Sequence, residues 1–334
     1  MRKLVLLCVC VLLTLAAFGQ STLNGAGATF PYPMYSKWFS EYSKLHSDVQ
    51  INYQSIGSGG GIRQVTAGTV DFGASDMPMT DKQLSDTKTK ILNIPTVLGA
   101  DVPAYNIPGV TGEVKFTPEA LAGIFMGKIT RWNDKALTSV NPDLNLPDKE
   151  IIVAHRSDGS GTTFIWTDYL SKVSPDWKTQ VGADTSVRWP VGLGAKGNEG
   201  VSGLIRQMSG SIGYVELIYA IQNKIPFGSV RNSAGIFVKA SLESVTAAAA
   251  SAPKMPADFR VSITNAPGKD AYPIASFTWL LIPAQAKDAA KGKILREFLD
   301  WMVTDGQQMT TALAYAPLPQ NVAAKVKETI KQVK

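Results

Sequence analysis

A short run of the chain, from Arg156 to Thr163, carries residue types that bind anions. Glycine, serine, threonine and one aspartate make up the rest of the run, and apolar residues then recur at helical spacing from 166 to 173. This pattern predicts a helix that begins near Gly161 and ends before Pro175. The first backbone amides of a helix have no partner within it and lie at its positive end, while an arginine adds a planar, charged donor. The run is therefore predicted to hold a bare anion.

Three other segments combine glycine with hydroxyl or carboxyl side chains, at 25–30, 57–61 and 73–76. The first precedes a helical pattern that begins after Pro31, and the second, a glycine-rich loop, leads into a helical stretch at 62–67. One such turn on its own is more often an ordinary helix cap. Three turns that lead into helices, combined with a carboxylate and an arginine, are less ordinary, and they favour one shared anion site.

Strand-like and helix-like stretches alternate along the chain, which is typical of α/β proteins. Short strands are predicted at 49–53, 70–74, 151–153 and 277–282, and amphipathic helices at 35–42, 116–125 and 294–302. In such folds, ligands bind beyond the carboxyl ends of the strands, where loops lead into helices. The late strand at 277–282 is explained if C-terminal residues return to complete a first lobe.

The length and composition fit a soluble globular protein with room for two domains. The chain has 334 residues, 45% of them hydrophobic, and a formal net charge of +6. Arg2 and Lys3 precede an apolar stretch, so residues 1–19 are predicted to be a signal peptide cleaved between Gly19 and Gln20. A membrane anchor is the alternative, but the stretch is short for a full span.

Cysteines and histidines are too few and too scattered to suggest a metal site. Both cysteines, Cys8 and Cys10, lie in the predicted signal peptide, so the mature chain is expected to have no disulfide, thiol nucleophile or thiolate metal site. His46 and His155 are the two histidines of the sequence, and neither has a partner at metal-ligand spacing. Basic residues form no block interleaved with aromatic residues, so nucleic-acid binding is not expected. We expect no metal and no cofactor.

Seven stretches of the chain resemble the periplasmic phosphate-binding proteins of phosphate ABC transporters. They are GAGATFPYPMYSKW at 25–38, NYQSIGSGGGIRQV at 52–65, TVDFGASDMPM at 69–79, GKITRWND at 127–134, HRSDGSGTTFIW at 155–166, WPVGLGAKGNEG at 189–200 and GSIGYVE at 210–216. Chance does not produce agreement of this length in this order. The resemblance covers essentially the whole mature chain.

The resemblance implies an α/β fold with two lobes, the type II or Venus-flytrap fold of periplasmic binding proteins. Each lobe is expected to be a mixed sheet flanked by helices, and a hinge is expected to join the two. Lobe I is expected to comprise 20–97 and 272–334, and lobe II 98–271. The ligand is expected in the cleft between the lobes.

The resemblance also assigns the phosphate contacts, position by position. They are Thr29, Phe30 (through its backbone amide), Ser58, Asp76, Arg156, Ser160, Gly161 and Thr162. Asp158 is expected to hold the guanidinium of Arg156 in position. The chain departs from the family pattern at Asp101 and Pro103, where the family is apolar, and at His155, where a second basic residue is common. These departures concern the expected hinge region rather than the site.

By the same resemblance, the chain is expected to bind inorganic phosphate in the periplasm and to deliver it to the permease and ATPase subunits of an ABC transporter. It is expected to be a monomer and not an enzyme. Three alternatives stay open. They are a binding protein for another oxyanion, such as sulfate or molybdate, a secreted phosphate-handling hydrolase that uses Ser58 or Ser160 as nucleophile, and a phosphate sensor that does not deliver its ligand to a transporter. The hydrolase would need a base, and His155 is the candidate nearby in sequence. Asp76 disfavours a fully ionised oxyanion, because a carboxylate repels a ligand that brings no proton.

Overall fold

Strands and helices alternate along the chain in the structure, a computed structural model that describes residues 20–252 and 254–334. The predicted signal peptide, residues 1–19, lies outside the described residues. Helices α1 to α12 are, in chain order, Tyr32–Leu45, Ser58–Ala67, Asp81–Ser85, Pro118–Phe125, Lys135–Thr138, Gly161–Val173, Pro175–Gln180, Gly197–Gln207, Leu217–Gln222, Leu242–Ser251, Ala289–Met302 and Gln320–Ile330. Strands β1 to β11 are Ser21–Gly27, Val49–Ser55, Phe72–Ser75, Ile91–Asn106, Lys115–Phe116, Ile152–Arg156, Leu193–Ala195, Ser211–Glu216, Ser229–Arg231, Phe237–Val238 and Ala275–Pro283. The predicted α/β class is confirmed.

The long strand β4 joins two groups of strands. The order across the large sheet is β2-β1-β3-β11-β4-β8-β6-β7, and a small sheet has the order β10-β9-β5. β1 runs parallel to β2 and β3, whereas β11 runs antiparallel to β3 and β4. Residues 91–100 of β4 pair with β11, and residues 101–106 pair with β8. We call the elements grouped around β1, β2, β3 and β11 lobe I, and those grouped around β6, β7 and β8 lobe II.

The change of partner along β4 indicates where the chain passes between the lobes. Ala100 pairs with Ala275 of β11, and the next residue, Asp101, pairs with Glu216 of β8. The second crossing lies between α10 and β11, because the Asp101 amide donates to the carbonyl of Ile274. We propose on this basis that the chain crosses between the lobes at 100/101 and near 274, about three residues after each of the expected boundaries at 97/98 and 271/272.

Aromatic side chains fill the core of each lobe. In lobe I, α1 buries the apolar face predicted at 35–42, and the indole of Trp38 donates to the Gly306 carbonyl at 2.7 Å. In lobe II, Trp166 of α6 stacks on Tyr214 of β8 with ring centroids 5.2 Å apart. Burial of these large side chains supplies much of the hydrophobic stabilisation of the lobes. Among the described residues, no helix is both long enough and apolar enough to cross a bilayer.

Helix α2 begins earlier than the sequence predicts. The segment 57–61 was expected to be a loop before a helix at 62–67, but Ser58 is already the first helical residue. Glycine is a poor helix former, which favours the loop interpretation. Here close packing requires it, because a Cβ atom at Gly61 would lie 2.5 Å from the Ala74 carbonyl oxygen and 2.7 Å from that of Ala26. The missing side chains let α2 lie directly against β1 and β3.

A buried carboxyl group lies where β4 changes partners. Asp101 is fully buried opposite Glu216, and neither of its carboxyl oxygens has a hydrogen-bond partner among the described residues. Burial raises the pKa of Asp101 well above its usual range, and the charges of Asp76 and Glu216 raise it further. The fold therefore favours the neutral form of this carboxyl group.

Replacing Asp101 by valine is expected to stabilise the folded chain, because an unpartnered buried polar group costs about 1–3 kcal/mol and valine suits a buried strand. Because the pKa of Asp101 is higher in the folded chain than in the unfolded chain, its ionisation opposes folding. The contribution of this group to stability is therefore complete below about pH 4, its pKa in the unfolded chain, and is lost as the pH rises toward its pKa in the folded chain. The gain from Asp101→Val should therefore grow from about pH 4 to neutral pH. Thermal unfolding of both proteins across this range measures it. A lower melting temperature, or a gain that is independent of pH, would contradict this explanation.

Candidate functional site

The predicted anion-binding residues all follow the carboxyl ends of strands. Thr29 and Phe30 lie between β1 and α1, and Ser58 begins α2 just after β2. Asp76 follows β3 directly, while Arg156 ends β6 and Ser160 caps α6. This is the position at which α/β folds bind ligands. The eight residues are buried in the structure: Thr29, Phe30, Ser58, Asp76, Arg156, Ser160, Gly161 and Thr162.

Direct hydrogen bonds join the two lobes at this point. The hydroxyl oxygen of Ser58 in lobe I accepts from the Gly161 amide in lobe II at 3.0 Å. The Gly59 amide donates to the Gly159 carbonyl at 2.9 Å. The lobes are thus in contact, and the predicted residues of both lobes surround the same small region.

Backbone amides at the starts of three helices remain available in this region. The amides of Phe30, Ser58 and Thr162 donate to no acceptor among the described residues. Each lies at the beginning of a helix, where the partial positive charge favours an anion. Ser160 caps α6 by accepting from the Thr163 amide at 3.0 Å, which leaves its hydroxyl proton free to donate. The arrangement is rich in hydrogen-bond donors.

Arg156 is held rigidly by its neighbours. Its Nε and Nη2 donate to the two carboxyl oxygens of Asp158 at 2.8 and 2.5 Å, and its Nη1 donates to the Thr162 hydroxyl at 3.1 Å. Asp158 is fixed in turn, because it accepts from the Gly197 amide at 3.0 Å. Burial by itself lowers the pKa of Arg156, but the hydrogen bonds and charge of Asp158 outweigh it and hold the pKa above its usual value. Of the five N–H groups of the guanidinium, two remain for a ligand.

Asp76 is the one carboxyl group among the eight predicted residues. Its Oδ1 accepts from the Thr278 hydroxyl at 2.8 Å, and its Oδ2 lies 3.3 Å from the Ser58 hydroxyl. Burial raises the pKa of Asp76 to about 7, although hydrogen bonds from Thr278 and Ser58 and the charge of Arg156 act in the opposite direction. Asp76 therefore gains or loses its proton near neutral pH, and when ionised it accepts hydrogen bonds in a site otherwise made of donors.

Three buried residues that the sequence analysis did not single out support the site. Asn198, at the start of α8, donates to the hydroxyls of Thr29 and Thr162. Tyr214 binds the Arg156 amide, and Thr278 binds Asp76. Asn198 and Tyr214 fall within the stretches 189–200 and 210–216, which carry the family resemblance, so that resemblance was the available signal. Nothing in the local sequence marks Thr278.

His155 does not take part in the cluster of hydroxyls. Its ring stacks on Trp189 with centroids 4.8 Å apart, and its Nδ1 lies 3.0 Å from the Arg156 carbonyl oxygen. No hydrogen bond joins it to Ser58 or Ser160 within the part of the chain that is described. Burial lowers the pKa of His155, which favours the neutral ring. Across 20–252 and 254–334, no three histidine, cysteine, aspartate or glutamate side chains gather in a way that could hold a metal ion.

Comparison with known proteins places the chain in a family. The family model described as a PBP superfamily domain matches residues 14–306. A phosphate-binding protein PstS of Xylella fastidiosa is 48% identical over 306 residues, which cover 91% of this chain and 83% of that protein. A phosphate-binding protein PstS of Pasteurella multocida is 46% identical over 329 residues, covering 98% of this chain and 95% of that protein.

Solved structures of more distant sequence share the fold. A high-affinity periplasmic phosphate-binding protein solved with phosphate has a TM-score of 0.74 at 22% identity, covering 92% of this chain and 93% of that one. A phosphate-binding protein from Stenotrophomonas maltophilia has a TM-score of 0.71 at 19% identity with the same coverage. The predicted two-lobed periplasmic binding protein fold is thereby confirmed. From the family model and the similarity to its curated relatives, the chain belongs to the PBP superfamily and, within it, to the phosphate-binding proteins PstS.

Proposed function

We propose that this chain binds inorganic phosphate between its two lobes, through Thr29, Phe30, Ser58, Asp76, Arg156, Ser160, Gly161 and Thr162. The observation that carries the proposal is one buried carboxyl group, Asp76, placed among buried donors from both lobes. Donors bind the oxygens of an oxyanion, and Arg156 offers two free N–H groups from a fixed guanidinium. The names of the curated relatives support the same ligand.

Asp76 supplies the selectivity of the proposed site. Phosphate keeps at least one proton near neutral pH, and that proton can be shared with the Asp76 carboxylate. Sulfate brings none, so it would face a buried negative charge unless Asp76 were itself protonated. Discrimination that depends on a missing hydrogen bond inside a buried site can reach ~10⁴–10⁵-fold. Another fully ionised oxyanion, such as molybdate, is disfavoured for the same reason.

We propose that the chain is a binding protein rather than a hydrolase. A serine nucleophile needs a base within hydrogen-bond reach. His155 instead contacts Trp189 and the Arg156 carbonyl oxygen. The oxygen of Ser160 caps α6, and that of Ser58 accepts from the amides of Asp76 and Gly161. Ser160 therefore has no base among the described residues. Ser58 has the Asp76 carboxyl oxygen 3.3 Å from its hydroxyl, but the two amides occupy both lone pairs of its oxygen, so no lone pair is left for nucleophilic attack.

Transport is the proposed role of the bound phosphate. The chain would collect phosphate in the periplasm, after removal of the signal peptide predicted at 1–19, and deliver it as a monomer to the permease and ATPase subunits of an ABC transporter. Membership in the phosphate-binding protein family supports this proposal. A structural relative described as periplasmic supports the location.

Phosphate is expected to bind one-to-one and to hold the lobes together. A ligand that contacts both lobes favours the closed state by its difference in affinity for the two states. Small-angle scattering of the mature chain should therefore give a smaller radius of gyration with saturating phosphate than with the same concentration of sulfate. An unchanged radius at phosphate saturation would contradict the proposed position of the ligand between the lobes.

A further inference from the structure

Asn198 lies at the centre of the site, and all of its polar groups are used. It is fully buried at the start of α8. Its Nδ2 donates to the Thr29 hydroxyl oxygen at 2.8 Å and to that of Thr162 at 3.2 Å. Its Oδ1 accepts from the Glu216 amide at 2.9 Å. The last contact fixes the orientation of the side chain, because a flipped amide would point two donors toward the Glu216 N–H group.

These contacts determine what the two threonine hydroxyls can do. A hydroxyl has one proton and two lone pairs. The Thr162 oxygen accepts from Arg156 Nη1 at 3.1 Å as well as from Asn198. The Thr29 oxygen accepts both from the side chain of Asn198 and from its backbone amide at 3.3 Å. With both lone pairs occupied, each hydroxyl has only its proton left for a ligand, and neither donates that proton to another described residue.

The count of lone pairs and protons determines which groups of the site donate to a ligand and which accept from it. Thr29 and Thr162 can only donate to a bound oxyanion, as can Arg156 and the free amides. Asp76 then remains as the acceptor for the proton of the ligand. A protonated oxygen placed near either threonine would meet a second proton, so the hydroxyl of phosphate is directed to Asp76. Without Asn198, each threonine hydroxyl could rotate and present a lone pair instead.

Asn198 also connects the lobes. Thr29 belongs to lobe I, whereas Asn198 and Thr162 belong to lobe II. Along the chain, Asn198 is 169 residues from Thr29 and 36 residues from Thr162. The bond from Asn198 to Thr29 therefore requires the closed arrangement. In the closed arrangement, the Asn198 side-chain amide contacts both hydroxyls and leaves each of them only its proton for the ligand.

We propose that Asn198 is a positioning residue that fixes the hydroxyls of Thr29 and Thr162 as donors toward the ligand. The inference rests on the proposed function, because the ligand is inorganic phosphate. Asn198 itself does not contact the phosphate; it acts through the two threonines, and its effect must disappear when they lose their hydroxyl groups.

A double-mutant cycle tests this dependence. Phosphate affinity is measured by calorimetry for Asn198→Ala in the wild-type background and in a background carrying Thr29→Val and Thr162→Val. We expect Asn198→Ala to weaken binding by about 10- to 100-fold in the wild type, but by less than about threefold in the valine background. An equal loss in both backgrounds would overturn the proposal, because a purely structural role does not depend on the hydroxyls. Unchanged affinity in the wild-type background would overturn it as well.

Two further variants make the test decisive. Asn141→Ala is the matched control, because Asn141 is a buried asparagine whose amide binds Lys115 and Leu137 outside the site. It should lower the melting temperature and leave phosphate affinity unchanged. If Asn198→Ala does not fold, Asn198→Asp replaces it in the cycle. The aspartate still accepts from the Glu216 amide but draws the threonine protons toward itself, so the loss should exceed that of alanine and should again be smaller in the valine background. Wild-type protein that fails to bind phosphate would refute the proposed function instead.

Discussion

Replacing Arg156 by alanine should weaken phosphate binding by about 2–5 kcal/mol, which corresponds to a loss of about 30-fold to several thousand-fold in affinity. The variant loses the two N–H groups of the buried guanidinium that Asp158 and Thr162 leave available for charge-assisted hydrogen bonds to the ligand. It also leaves Asp158 without the guanidinium that compensates its charge close to the bound anion. Both effects act in the same direction, so this substitution has the largest expected effect on affinity.

Two other substitutions control for charge and for general damage. Arg156→Lys keeps the positive charge but not the planar group that binds both oxygens of Asp158, so only part of the affinity should return. Arg260→Ala removes an arginine that pairs with Asp81 and Asp258 outside the site, and it should leave phosphate affinity unchanged. Calorimetric titration of the three variants with phosphate measures whether the loss of affinity is specific to the Arg156 guanidinium. If Arg156→Ala bound phosphate like the wild type, Arg156 would have a structural role only.

Replacing Asp76 by asparagine should raise the ratio of sulfate affinity to phosphate affinity by about 100-fold near pH 9, where Asp76 is almost fully ionised. The amide side chain would keep an oxygen for the Thr278 hydroxyl and would place an NH₂ donor where Oδ2 now lies. Phosphate loses a charge-assisted hydrogen bond but also loses repulsion, so its affinity changes by the difference of two opposing effects. Sulfate gains from both changes. The ratio is therefore a clearer result than either affinity.

The pH dependence of sulfate binding provides a second test of Asp76. Sulfate requires a protonated Asp76, whose pKa is about 7 in the folded chain. Sulfate affinity of the wild type should therefore fall by about tenfold per pH unit between about pH 7 and about pH 9, while that of Asp76→Asn should stay constant. Asp71→Asn, in lobe I beside Lys291, is the matched control and should behave like the wild type. Undetectable sulfate binding to Asp76→Asn, with phosphate binding retained, would show that the carboxylate does not discriminate between the two ligands.

Much of the local structure could be predicted because it is encoded locally. Helix α6 begins at Gly161 and ends at Val173, as the apolar spacing and Pro175 indicate. The apolar face of α1 is equally clear, since Tyr35, Trp38, Phe39 and Tyr42 are all buried. In both helices, the local pattern and the tertiary packing favour the same structure, so nothing overrides the pattern.

The long strand β4 was not predicted, for physical reasons. Almost every residue from Ile91 to Asn106 is buried, so the alternation that marks a half-exposed strand is absent. Pro95 and Pro103 further disguise it, because proline is uncommon within strands. Pro95 lies at a register irregularity opposite β11, where the ladder is already interrupted. The strand is stabilised by β11 and β8, whose positions in the sheet are a property of the whole fold.

The site residues that lie in short segments rich in glycine and hydroxyl residues could be predicted from the sequence. Four segments supply the proposed ligands, and the structure brings these segments together. The residues that orient the proposed phosphate-binding side chains were missed, because their role depends on partners far away in sequence. Thr278 is 202 residues from Asp76, and Asn198 is 169 residues from Thr29. No local pattern encodes such contacts, and they become visible only when the strands are placed in the sheet.

Calorimetric titration of the mature chain with phosphate and with sulfate, near pH 8, tests the central claim most directly. The proposed site has buried donors from both lobes and one carboxylate that accepts the proton of the ligand. It predicts tight one-to-one binding of phosphate and binding of sulfate that is weaker by at least about tenfold at this pH, where about one Asp76 side chain in ten is protonated. Equal affinities for the two anions, or no binding of phosphate, would contradict it.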